Sequence, residues 1–128
     1  MSRAVAGAAL LDLAVVVAFA AIGRASHDSD VLGGLWMTAW PFLVGLVGGW
    51  LIARAWRRPL TVIRTGIPVW LSTVVIGMLL RAVSGQGTAV AFIVVATLTL
   101  GLLLIGWRSV VALVVRARTR RASGSSRP

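Results

Sequence analysis

The chain has 128 residues, 59% of them apolar and only 12% charged, whereas a soluble domain carries about a quarter charged residues. All 13 basic residues are Arg, set against three Asp, for a formal charge of +10. The length leaves room for one domain, the lack of Cys excludes disulfides, thiol chemistry and Cys-ligated metal centres, and the long uncharged runs exclude a water-soluble globule.

Crossing the hydrocarbon core takes about 20 mainly apolar residues in a helix, and four stretches come close. The first runs over 4–23, follows Arg3 and is interrupted only by Asp12. Its apolar stretch before Ala18-Phe19-Ala20 could also pass for a cleaved secretory signal, but the run is long for one and Asp12 sits in its middle. A Ser- and Asp-rich turn, with Gly33 and Gly34, separates it from the second stretch at 35–53. Here Gly45 and Gly49 form a small-xxx-small pair that permits close helix approach, within the chain or across a dimer. Arg54 to Pro59 make the second turn. The third stretch, 62–82, is the weakest, because Gly66 and Pro68 could break it and free carbonyls to line a cavity. Ser84-Gly85-Gln86-Gly87 has the punctuation of a tight loop. The fourth stretch covers 89–107 and could run on to Val115.

Backbone polar groups in lipid must bond within their own segment, and no run alternates like a barrel strand, so these are helices. Short loops make successive helices antiparallel. The expected fold is therefore all-α, a four-helix transmembrane bundle of up-down topology. Residues 1–115 form the membrane domain, and 116–128 a basic, disordered tail.

Arg3, the second turn with Arg64, and the chain from Arg108 onward hold eleven Arg, while the other side holds only Arg24 and Arg81. That asymmetry places both termini in the cytoplasm and the chain in the inner membrane, and it argues against insertion both ways round. The tail would meet anionic lipid headgroups. A +10 charge could instead suggest nucleic acid, but its distribution is the one membrane topology predicts, so no nucleic-acid partner is expected. A homo-oligomer or a membrane partner is compatible with the sequence.

Asp12 is the most informative residue. It would lie about 10 Å into the membrane at 1.5 Å per residue from Val5, where an unpaired carboxylate costs about 2.5–3.5 kcal/mol. It should face the interior with Ala8, Val16 and Phe19. The partners within reach are Arg108 and Arg64; a Ser or Thr would serve a protonated Asp. Asp12 reads either as a proton or cation site or as a packing pair. On the opposite side Arg24, His27, Asp28, Arg81 and Gln86 could gather. That set would hold an anion, or would simply close the helix ends with ion pairs. His27, Asp28 and Asp30 offer too few ligands for a metal, and no cofactor motif is visible. Catalysis through His27 and a Ser lacks an oxyanion-hole motif, and the absence of Lys removes phosphate loops of the Walker type, so no enzyme is expected. The six Trp fit interfacial belts, with Trp70 deeper.

Several pieces together resemble one family. They are Asp12 with Phe19-Ala20, Gly23-Arg24 and His27, then Thr38-Ala39-Trp40-Pro41-Phe42 with Gly45 and Gly49-Trp50. Gly66 with Trp70, Gly77-Met78-Leu79-Leu80-Arg81, Phe92 and Gly106-Trp107-Arg108 complete the pattern. The chain is similar over nearly its whole length to small bacterial and archaeal membrane proteins catalogued as domain of unknown function 3054. The resemblance implies an integral membrane protein and transfers no catalytic assignment. The Arg-only, Ala- and Val-rich composition resembles that of a high-GC actinobacterium. The function expected is that of a small non-enzymatic membrane protein, accessory, structural or lipid-associated. The alternative is a small oligomeric transporter coupling protons or cations through Asp12, architecturally like small multidrug exporters but without their Glu.

Overall fold

The computed structural model describes residues 2–25 and 31–125. Four long helices follow one another: α1 (Arg3–Ala25), α2 (Val31–Ala53), α3 (Ile67–Val83) and α4 (Val90–Ser125). Among the described residues there is no strand. All four helices are long and apolar enough to cross a membrane, the third when joined to the turn before it. Neighbours in sequence pack together, and α1 closes the ring against α4.

The distribution of side chains is the reverse of a water-soluble bundle. Leu10, Ile22, Leu51, Leu79 and Leu102 are 61–75% exposed, while Asp12, Thr38, Thr65, Thr73 and Arg108 are buried. Apolar surface of this extent belongs against lipid, and the few polar groups then turn inward to find partners. Ala8, Val16 and Phe19 share the buried face of Asp12, as their spacing predicts.

α2 and α3 are the most intimate pair, and glycines make them so. A Cβ on Gly45 would lie 2.7 Å from the Thr73 carbonyl oxygen, and one on Gly49 would lie 2.9 Å from Val69 Cα. The small-residue pair is thus used within the chain. α3 meets α4 where Gly101 leaves space for the indole of Trp70, whose Nε1 donates to the Thr97 carbonyl at 2.9 Å. Phe19, Phe42 and Phe92 cluster between α1, α2 and α4, the first two edge to face at 5.4 Å.

Two helices stop with the same hydrogen-bond pattern. After α3, the Gly85 N–H donates to Ala82 O and that of Gln86 to Arg81 O, with Gly85 at φ 80°. After α2, the Arg54 N–H donates to Leu51 O and that of Ala55 to Trp50 O, with Arg54 at φ 50°. This C-terminal motif needs a left-handed residue, and Gly fills that place at no steric cost. Arg54→Gly should therefore stabilise the fold by about 1 kcal/mol, raising the melting temperature in detergent.

The third span begins irregularly. Residues Val62–Gly66 make one π-helical turn, with the Gly66 N–H reaching back five residues to Thr61 O and that of Ile67 to Val62 O. Pro68, in the first turn of α3, lacks the N–H that a regular α-helix would require there. The expected break is real. Two carbonyls just before it are taken by side chains of the protein. Arg58 O accepts from Thr61 and Thr65, and Pro59 O from Arg108.

α4 departs from expectation. The segment from Arg116, expected to be disordered, continues as helix to Ser125. No Pro or Gly interrupts it between Trp107 and Ser123, and extending an existing helix costs far less than starting one. Its 36 residues span about 54 Å at 1.5 Å per residue. From Ser109 to Ala122 no residue of α4 is buried.

Candidate functional site

The polar centre lies at the Arg-rich end of the bundle, around Asp12. Asp12 sits mid-way along the inward face of α1, fully buried, and Arg108 reaches it from α4, also fully buried. The pair is bidentate. Arg108 Nη1 donates to Asp12 Oδ1 at 2.9 Å and Nη2 to Oδ2 at 2.6 Å. Arg64, the other partner within reach by sequence, is exposed and makes no such bond.

Two indoles complete the carboxylate's shell. Trp50 Nε1 donates to Oδ2 at 2.9 Å and Trp107 Nε1 to Oδ1 at 2.8 Å. A carboxylate offers about four acceptor positions, and here each oxygen accepts two bonds. The guanidinium is held as fully. Its Nε donates to Pro59 O at 2.9 Å, Nη1 donates also to Leu104 O at 3.1 Å, and Cζ lies 4.4 Å from the Trp107 ring centre. Gly66 admits the stem of Arg108, since a Cβ there would stand 3.2 Å from its Cδ. The clamp thereby joins α1, α2, α4, the α2–α3 loop and the π turn. Among the described residues this is the one ion pair.

Trp50 and Trp107 were expected only as interfacial anchors, and as partners of Asp12 they were missed. The composition held the signal. Without Asn or Tyr, and with Gln86 and His27 at the other end of the bundle, the neutral side-chain donors near a buried Asp reduce to indole N–H and hydroxyl groups, and an indole N–H is purely a donor.

At the opposite end Arg81 and Gln86 do come together. Arg81 donates through Nε and Nη2 to Gly87 O at 3.0 and 2.8 Å, and through Nη1 to Gln86 Oε1 at 2.9 Å. Its guanidinium stacks 4.2 Å from the Phe92 ring centre. Gln86 Nε2 donates in turn to Met37 O at 2.9 Å. Pro41 explains that last bond, since residue 41 would normally donate to the carbonyl at 37 and Pro has no N–H. This cluster ties the α3–α4 loop to α2. The side chain of Arg24, together with His27 and Asp28, lies outside the described residues.

A family model described as a protein of unknown function (DUF3054) matches residues 9–111. The chain belongs to this family. Its match takes in the whole clamp and the Arg81 cluster, and ends before the Arg-rich end of α4. No curated protein and no solved structure matches the chain. Membership of DUF3054 therefore agrees with the motif pattern in the sequence and brings no activity with it.

Proposed function

We propose that this DUF3054 protein is a non-catalytic, four-span protein of the inner membrane, with both ends cytoplasmic, and that Asp12 ties its helices together and is not a coupling group. One observation carries the reading. Both oxygens of Asp12 are already filled by four N–H donors. A proton, cation or cationic substrate would have to displace a bidentate guanidinium before it could bind. A transporter's acid needs an acceptor position that opens during the cycle, and this carboxylate is closed on every side. The orientation is supported by the gathering of Arg at one end. Ala4, Arg58, Arg64, Arg116 and Arg120 border a single groove there.

Both halves of the reading can be tested with the same chain, which has no native Cys. In intact cells, Ser2→Cys should resist a membrane-impermeant maleimide and Ser84→Cys should react; the reverse pattern overturns the orientation. In proteoliposomes carrying a proton-sensitive dye, wild type and Asp12→Asn should give the same background leak. A flux present in wild type and lost in an inserted Asp12→Asn would make Asp12 a coupling group after all.

A further inference from the structure

The clamp uses one Arg of the Arg-rich end, and four others surround an open hollow beside it. Arg54, Arg57, Arg58 and Arg64, with Thr65 and Pro68, line a cavity of about 510 Å³ between the end of α2 and the π turn. All four Arg are exposed, and none forms a side-chain hydrogen bond or ion pair with a described residue. Asp12, the sole acid among the described residues, is occupied by Arg108. Four exposed cations thus border one space, and no acid among the described residues pairs with them. Arg54 is kept there in a left-handed conformation that Gly would fill without strain.

A second cavity adjoins the first and is mostly apolar, with Arg116 and Arg120 also on its border. A groove of about 1220 Å³ runs between the π turn and α4. Leu60, Ile63, Val111 and Val115 line it, and Arg58 and Arg64 belong to both cavities. Ile63 is 75% exposed and Val115 54%. A mostly apolar groove that shares two of its four Arg with a cationic hollow matches one molecule with two parts, a phosphate head and hydrocarbon chains.

The geometry points to a binding site for an anionic phospholipid, with the head phosphate on Arg58 and Arg64 and the acyl chains along the groove. Guanidinium forks match phosphate oxygens two by two, and Arg54 and Arg57 carry the remaining head charge. The inference rests on the reading that the chain is immersed in lipid with its Arg-rich end at a headgroup surface.

The test uses full-length protein in nanodiscs of phosphatidylcholine with a minor fraction of phosphatidylglycerol, with bound lipid counted by native mass spectrometry after release into detergent. Wild type should retain phosphatidylglycerol in preference to phosphatidylcholine. Arg58→Gln/Arg64→Gln should weaken that retention about tenfold or more, and Arg58→Lys/Arg64→Lys should restore only part of it, because an ammonium keeps the charge without the fork. The charge-matched control Arg3→Gln/Arg121→Gln, outside both cavities, should leave it unchanged. Equal loss in control and double variant would reduce the site to diffuse charge and overturn the proposal. So would equal retention of phosphatidylcholine, or displacement of the lipid by millimolar inorganic phosphate, which would mark a free-anion site. An unchanged melting temperature of the Gln variants in pure phosphatidylcholine discs separates lost binding from lost folding. Failure of wild type to enter those discs would strike the membrane reading, whereas entry without preference for phosphatidylglycerol would strike the site alone.

Discussion

Arg108→Met should destabilise the bundle by about 3–5 kcal/mol, the cost of stranding a buried charge. The substitution keeps an unbranched side chain of fair length and removes only the guanidinium. Asp12 would then keep only its two indole N–H donors, with two of its four acceptor positions unmatched. Pro59 O would lose its donor as well. Asp12→Asn should also be costly for a reason visible in the donor map. Both carboxylate oxygens receive N–H groups, so whichever way the amide turns, its NH2 faces two donors. The decisive variant is the pair Asp12→Leu/Arg108→Met. Removing both charges together avoids the stranded ion, so the double variant should be more stable than Arg108→Met alone. It should still fall short of wild type, because Trp50 and Trp107 lose an acceptor, at about 1–3 kcal/mol for each unsatisfied group. Unfolding in mixed detergent and dodecyl sulfate micelles, followed by Trp fluorescence, orders the variants. A double variant no more stable than Arg108→Met would show that packing, and not charge pairing, sets the clamp's value.

The architecture was legible because hydrophobic runs of membrane length have few alternative fates. Four spans, their short loops and the inward face of Asp12 could all be read from spacing. Arg108 and Arg64 were both within reach by depth, and only the family pattern, which contains Gly106-Trp107-Arg108 and not Arg64, favoured the first. The choice depends on Gly66 and the π turn, which clear a path for the stem of Arg108, and on Pro59, whose carbonyl receives its Nε. Those are consequences of a backbone irregularity that no periodicity announces. Trp50 and Trp107 were hidden for a different reason. A Trp near a helix end already has a sufficient explanation at the membrane surface, so its second use as a donor leaves no separate trace. The helical course of α4 beyond Arg116 was missed because burial was taken as the condition for order, whereas a helix already formed propagates through Arg and Ala without it.

The second large effect is steric and carries its own control on the same helix. Gly45→Ala places a methyl 2.7 Å from Thr73 O, 2.9 Å from Thr73 Cα and 3.1 Å from Ser72 O. Every one of those atoms is backbone, so no rotamer change relieves the contact, and α2 must move away from α3. Overpacking of this kind costs about 1–3 kcal/mol, and the upper end is expected because the displaced element also carries Trp70 and its bond to α4. Three residues on, Gly48→Ala meets only Ile76 Cδ1, at 2.9 Å. That atom ends a flexible, half-buried side chain that can turn aside. The gain in helix propensity, about 1 kcal/mol for Gly to Ala, should then offset most of the strain. The same single methyl should therefore be costly at 45 and close to neutral at 48, as read from melting temperatures in detergent. Equal effects at the two positions would deny the close approach of α2 and α3. A change in oligomeric state by Gly45→Ala with stability intact would move the small-residue face from the inside of the bundle to a contact between copies.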